Sequence, residues 1–338
     1  MKIQSLSLLL LHEAIAADAR SDELDTLKQA EQIAAAASQL GWQLQILSTN
    51  LNLENTAAQI KKQQPDCVFN LVESLAGQGK MIHSIPALLS QLAVPYTGVN
   101  ADAMYLSSHK RLAKKVMQYH HIDSAESFDL NGPLPVSKGP WIVKSLWEHA
   151  SFGMDDGCVV NSSAAALQRI RDSQQRLGGE WFAERYITGR EFNVSVLEVN
   201  GQPQVLPIAE MCFIDYPQGK PKIVSYAAKW DEDSVDYQST QRHFPTLSPA
   251  LSAVIHRQVL QCWQAFGLSG YARVDIRCDE HEQPWVLEVN ANPCLTMDAG
   301  FAAAAAQADI SYQQVIKHIV LAALANSVAQ PTSIAVAS

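Results

Sequence analysis

Residues 271–290 read YARVDIRCDEHEQPWVLEVN, and the pairing of the two halves decides the fold around them. Tyr271 to Cys278 and Trp285 to Asn290 alternate polar with apolar, and the DEHEQP between them is rich in turn formers, so an antiparallel hairpin is expected. With Cys278 opposite Trp285, Asp275 lies opposite Glu288 and Arg273 opposite Asn290, while Val274, Ile276, Leu287 and Val289 turn to the core. Two carboxylates facing each other across a ladder repel unless a cation sits between them. Carboxylate and amide oxygens in a row suit a hard octahedral ion such as Mg²⁺. A solvated polar face on an edge hairpin is the plainer alternative. Asn292-Pro293 directly afterwards favours a site, because it turns the chain where the ligands end.

The chain has 338 residues, 47% of them hydrophobic, enough for two or three lobes with their own cores in a globular, soluble protein. A net charge of −9 argues against nucleic acid or a membrane as partner and for small substrates. The six cysteines, Cys67, Cys158, Cys212, Cys262, Cys278 and Cys294, are scattered with no Cys-x-x-Cys, which indicates neither a zinc site nor a disulfide framework and fits the cytoplasm. The opening MKIQSLSLLLLHEAIAADA has a faint signal-peptide look. Its apolar run is short and broken by Gln4, Ser5 and Ser7, so a buried first strand explains it better. No run reaches the length of a membrane span.

Along the chain, residues 3–11 read as a strand. A helix follows, capped by Ser21, with Leu24, Leu27, Ala30, Ala34 and Ala37 as its apolar stripe and Gly41 as its stop. Strands at 44–47 and 67–72 with a helix at 56–63 between them complete an open parallel α/β domain over residues 1–100. One helix from Ser108 to about His120 leads to a Pro/Gly-rich linker at 131–140. Beyond it come a strand at 141–144, a loop at 148–157, a helix at 162–177 and a strand at 180–187. Asn200-Gly201 joins the strands 191–199 and 204–208 as a hairpin turn. Residues 211–246, with Pro217, Gly219, Pro221, Pro245 and many charges without clear periodicity, suggest a long functional loop acting as a lid. Helices at 248–266 and 311–324 bracket the last hairpin, and the tail 327–338 reads as disordered.

No Gly-x-x-x-x-Gly-Lys-Ser/Thr is present, so phosphates need another cradle than a P-loop. Lys144 ends the strand WIVK, and EHASFGMDDG follows, where Ser151 and Gly153 would let backbone N–H groups approach a polyanion. In AERYITGREF, Glu184 to Ile187 ends a strand whose backbone could meet a purine, and Glu191 could hold ribose hydroxyls; taken singly, these are ordinary surface residues. Lys229 lies inside the lid segment, where it could close on phosphates or simply balance Asp231, Glu232 and Asp233.

Taken in order, SHK (108–110), WIVKSLWEHASFGM, AERYITGREF, YAAKW, YARVDIR and LEVNANPCLT resemble the ATP-grasp fold, in particular its D-alanine:D-alanine ligase-like branch. The resemblance runs from about residue 67 to 325, and FNLVE with PALLSQLAVPYTG carries it into the first domain. It implies a mixed α/β protein: an N-terminal parallel domain (1–100), a central lobe (101–187), and a C-terminal lobe (188–326) with the lid at 211–246 and the hairpin at 271–290. By the same resemblance, Lys110, Lys144 and Lys229 contact the phosphates of ATP, Asp275, Glu288 and Asn290 hold two Mg²⁺ ions with Mn²⁺ as a possible substitute, Glu184 and Ile187 frame adenine, and Glu191 takes the ribose. Arg273 would stabilise charge on substrate or transferring phosphate. The implied chemistry is ligation: a carboxylate attacks the γ-phosphate, an amine captures the acyl phosphate, and the lid excludes water. A homodimer is implied as well.

Departures from the family pattern fall where amino-acid substrates bind. LHEAIAADARSDELD replaces a Gly/Ser-rich loop carrying a glutamate, VESLAGQGK places Glu73 where a histidine is expected, and NPCLTMDAGF replaces a Ser-Pro-Gly-Met-Thr-Ser pattern. The expectation is a carboxylate–amine ligase not specific for D-alanine, with Glu73, His83 and Asp298 as acceptor-pocket candidates and Cys294 as a packing residue. Two alternatives stay open: a ligase acting on a peptide or protein terminus, and a nucleotide-binding regulator without catalysis.

Overall fold

The computed structural model describes residues 5–16 and 18–329. A three-stranded parallel sheet of order β2-β1-β3 opens the chain, from β1 (Ser7–Glu13), β2 (Gln43–Thr49) and β3 (Cys67–Asn70), with α1 (Ser21–Gln39) and α2 (Leu53–Gln63) as crossovers. The leucine run exists because β1 is central and covered on both faces. Leu8 and Leu10 pack with Ile33 and Phe69 on one side, and Leu9 and Leu11 with Ile60 and Ile85 on the other. The expected apolar stripe of α1 holds at Ala30 and Ala37, which are buried, and fails at Leu24 and Leu27, which are 47% and 37% exposed. Its buried face carries Thr26, Gln29, Ala30, Ile33, Ala36 and Ala37, because polar Thr26 and Gln29 bond Glu13 and the Leu295 N–H. Ser21 is the first helical residue rather than the cap; the Glu23 carboxylate accepts from the Arg20 N–H at 2.9 Å.

After α3 (Ser84–Gln91) comes α4 (Ala101–Ser108), absent from the sequence expectation, and then α5 (Lys110–Tyr119), the helix expected from Ser108 to about His120. His109 is extended at ψ 92 and caps α5 through Nδ1, which accepts the Leu112 N–H, so Lys110 stands buried at the first position of a helix. A four-stranded sheet of order β4-β7-β5-β6 comes next, from β4 (Ser127–Phe128), β5 (Trp141–Ser145), β6 (Val159–Val160) and β7 (Trp181–Arg185). It is backed by α6 (Ser163–Leu177).

The third sheet is antiparallel, with path β11-β10-β8-β12-β13 and β9 paired to β8. It uses β8 (Arg190–Val199), β9 (Gln202–Val205), β10 (Ala209–Phe213), β11 (Thr240–His243), β12 (Tyr271–Cys278) and β13 (Pro284–Asn290). Asn200 and Gly201, both at positive φ, make the β8–β9 turn that their sequence signals. The segment 211–246 is not a bare loop, since it finishes β10, forms α7 (Tyr226–Trp230) and α8 (Val235–Ser239), and returns as β11. Helix α9 (Pro249–Ala265), capped by Ser248, covers one face of this sheet through Ile255, Val259 and Cys262. The chain ends with α10 (Gly300–Gln307), absent from the sequence reading, and α11 (Tyr312–Ala329). Their residues Phe301, Ile316 and Ile319 join the core of the first sheet. Of the tail expected at 327–338, residues 327–329 continue α11 and the remainder lies outside the described residues.

Candidate active site

Strand β12 pairs with β13 so that Asp275 faces Glu288 and Arg273 faces Asn290, as the alternation predicts. The register then slips by one residue after Asp275, and Trp285 pairs with Arg277 rather than with Cys278. Leu287, expected in the core, therefore turns to the cavity, and Val286 is fully buried in its place. Being central, β12 also pairs with β8, which sets Asn193 beside Asp275 and Glu191 beside Arg277. The Arg273 guanidinium donates two bonds to Asp275 at 2.7 and 2.8 Å, and Asn193 Nδ2 donates a third at 2.8 Å. Arg277 grips Glu191 at 2.7 Å and donates to the Ile187 carbonyl at 3.0 Å.

Burial raises the Asp275 carboxyl above its ordinary range, with Glu288 adding to the shift against Arg273. Burial also works against ionisation of Glu288, but Lys110, Lys144, His149 and Lys229 outweigh it and hold that carboxyl far below the usual range. The two opposed acids are thus electrostatically unlike, one under an arginine and one among lysines.

Lys110, Lys144 and Lys229 come from α5, β5 and α7, and all three line one cavity of about 480 Å³ together with Arg273, Asp275, Glu288 and Asn290. That volume suits a nucleotide-sized ligand. Lys110 Nζ donates to the Glu148 carbonyl at 2.7 Å, and burial lowers its pKa and that of Lys229. Glu184 lies between Lys114 and Lys144, 2.6 Å from each, and burial of its carboxylate is outweighed by these two cations. Its side chain is therefore committed to lysines, although the residue lines the cavity along with Ile187 and Glu191. Ile142, Met154, Ile223 and Leu287 give this end apolar walls.

Ser151, at φ 61, lines the cavity and donates through Oγ to the Val224 carbonyl at 2.7 Å. Gly153 does not line it. A Cβ there would come within 2.5 Å of the Trp181 ring, so this glycine answers to packing and to its φ of +67, not to a polyanion. The 211–246 segment is tied to two other elements: Trp230 Nε1 donates to the Ala150 carbonyl at 3.3 Å, and Tyr226 Oη to Asp22 in α1 at 2.9 Å. His149 lines the cavity beneath it, pushed down to about 4 by burial, with Lys110, Lys229 and Arg273 adding.

Acidic groups gather at the opposite end. Glu73 lines the cavity beside Asp22 and Asp25, and its backbone N–H donates to Glu13 at 3.3 Å. Burial pushes Glu73 up to about 8, with Glu13, Asp25 and Asp22 adding, and Glu13 itself to about 7. The Cys294 thiol donates to Asp25 at 3.1 Å, and burial raises it well above an ordinary thiol, which fits packing and not a nucleophile. Asp298 sits at the rim, 68% exposed and 2.8 Å from Lys28. His83 is not brought to the cavity; its Nδ1 lies 2.9 Å from the Lys80 carbonyl and its ring stands edge-on to Tyr105.

Arg277, Asn193, His149 and Glu13 escaped the sequence reading. The first two share the strand faces of Asp275 and Glu191 at two-residue spacing, a signal that was present. The other two had no local signal, since only tertiary contact brings His149 to the cavity and Glu13 behind Glu73. Among the described residues no three His, Cys, Asp or Glu side chains cluster as a metal cage. Two carboxylates and an amide nonetheless fit Mg²⁺, which takes one or two carboxylates and fills its shell with phosphate and water.

Residues 132–321 match the family model described as D-ala D-ala ligase C-terminus. Among curated relatives, an uncharacterized protein of Sinorhizobium fredii is 26% identical over 86% of this chain and 85% of its own length. A D-alanine–D-alanine ligase of Acinetobacter baumannii is 29% identical over 66% of this chain and 69% of its own. Among solved structures, the Bacillus anthracis D-alanine–D-alanine ligase complexed with ATP superposes with a TM-score of 0.73 at 18% identity, covering 95% of this chain and 98% of that one. The Vibrio cholerae D-alanyl-alanine synthetase A gives 0.72 at 17% identity over 96% and 99%.

Proposed function

The chain belongs to the D-alanine–D-alanine ligase family through its C-terminal domain and is an ATP-dependent carboxylate–amine ligase; from that premise we propose how its cavity divides the work. One observation carries the reading: three lysines from three separate elements line the same cavity as Asp275, Glu288 and Asn290. Lys110, Lys144, Lys229 and the Ser151 turn hold the phosphates. Glu184 and Ile187 frame adenine through the backbone against Leu287 and Met154, and Glu191 takes the ribose. Asp275, Glu288 and Asn290 would hold two Mg²⁺ ions, or Mn²⁺ in their place.

ATP and its metal supply a transferable phosphoryl group and neutralise charge. Arg273 stabilises the negative charge shared between the substrate carboxylate and the phosphoryl group, a fixed donor that needs no reorganisation as charge develops. The lid, held to Ala150 and Asp22, keeps water from the acyl phosphate. Glu73, backed by Glu13 and Asp25, takes a substrate ammonium, since a buried carboxyl among like charges is relieved by a cation. Asp298 guards the mouth. The substrates are a small carboxylate and a small amine other than a D-alanine pair, because the residues meeting them depart from the family pattern. We further assign the division at residues 100 and 187, a homodimer, a cytoplasmic setting and no nucleic-acid partner.

Incubation with ATP, Mg²⁺ and pools of amino acids, followed by ADP and phosphate release, tests the reading. Release that requires both a carboxylate and an amine is expected. Nucleotide binding without turnover across broad pools overturns it in favour of a regulator.

A further inference from the structure

His149 Nε2 is shut off from solvent and has no hydrogen-bond partner among the described residues, although its ring lines the cavity. Buried ring nitrogens are normally paired, so an orphan on a residue that borders a ligand space marks where a partner arrives. The backbone fixes the side chain's root, because the Phe152 N–H donates to the His149 carbonyl at 3.1 Å and closes the turn. The charged groups acting most strongly on the ring are Lys110, Glu288, Lys229 and Arg273, drawn from α5, β13, α7 and β12. Glu288 is one anion among these cations, and the anionic group that a ligase brings into the cavity they line is the phosphoryl in transit. A neutral N–H donor adds a directed bond there without a fourth positive charge to repel the other three.

Resting on the ligase reading, we propose that His149 Nε2–H donates a hydrogen bond to the phosphoryl group as it passes from ATP to the substrate carboxylate, making His149 a catalytic residue beside Arg273. In that step a bond forms between the carboxylate oxygen and the γ-phosphorus. The bond from that phosphorus to the β–γ bridging oxygen breaks, and the electron pair leaves on ADP. His149 keeps its proton throughout.

The test is calorimetric binding of ADP and Mg²⁺ with and without aluminium fluoride, which mimics the phosphoryl group in flight. In the wild type, fluoride tightens ADP binding. His149→Ala loses about 100-fold of that gain while its affinity for ADP alone stays within about threefold, and His149→Gln, whose amide reaches the Nε2 position, keeps most of it. A second readout needs no destabilising variant: in ¹⁵N-histidine-labelled wild type, the Nε2–H resonance missing from His149→Gln shifts downfield and becomes protected from exchange when ADP, Mg²⁺ and aluminium fluoride are added. No fluoride gain in the wild type, an equal gain in His149→Ala, or an unmoved resonance overturns the proposal and leaves the ligase reading standing. Failure of the wild type to bind ADP at all overturns both.

Discussion

Glu288 is held ionised by lysines, and Asp275, directly opposite, is held by an arginine. Replacing Glu288 by Gln keeps the shape and removes the charge, so the fold persists by circular dichroism while kcat falls by about 10³-fold. Near-normal turnover would remove the metal assignment. Glu73 and Glu13 carry the opposite lesson. Their pKa values of about 8 and about 7 lie above the ordinary 4.5, so the stability they contribute is complete below about pH 4.5 and lost as pH rises through 7 to 8. Glu73→Gln should therefore melt with the wild type at pH 5 and about 4 °C above it at pH 9 without ligand. Coincident melting at both values would show that Glu73 is not strained by its neighbours. The facing of Asp275 and Glu288 was legible from alternation alone. The environment that makes one acid unlike the other was not, because Lys110, Lys144 and Lys229 arrive from elements up to 178 residues from Glu288.

At the scale of elements, the hairpin at 271–290 was readable and its bulge was not. Alternation fixes which side chains share a face until one extra residue inverts it, and Leu287 changes sides for that reason. Leu287→Ala should raise the Kd for ADP about fivefold by calorimetry, as apolar wall is lost; an unchanged Kd would place adenine elsewhere. The sequence suggests a phosphate-loop role for Gly153, whereas a Cβ there would run into Trp181 of β7 and Leu177 of α6. Gly153→Ala should cost about 2–3 kcal/mol in chemical denaturation, from strain at positive φ and overpacking against the ring. A neutral substitution would restore the phosphate reading. Helix α1 misled in a similar way: its leucines look outward while Thr26 and Gln29 serve the cavity's acidic end.

In the whole molecule, the 211–246 segment, the proposed lid, is fastened to the loop at Ala150 and to α1. Tyr226 reaches Asp22, whose carboxylate also pairs with Arg20 at 2.9 Å, and Arg20 lies over the Phe152 ring at 5.2 Å. Tyr226→Phe removes a hydrogen bond to a charged partner, so the open form should rise about tenfold, read as faster proteolysis between residues 214 and 222. An unaltered cleavage rate would mean that closure does not depend on this contact. Strand alternation, capping residues, turn dipeptides and the order of short motifs are local properties, and the chain by itself determined from them its parallel first sheet, its central hairpin and its family. Tertiary structure alone decided that Glu13 stands behind Glu73, that Arg277 holds Glu191, that α11 packs into the core beside the first sheet, and that His149 lines one cavity with the lysines. These pairings join residues far apart in sequence, and burial rather than local preference sets both their geometry and their charge.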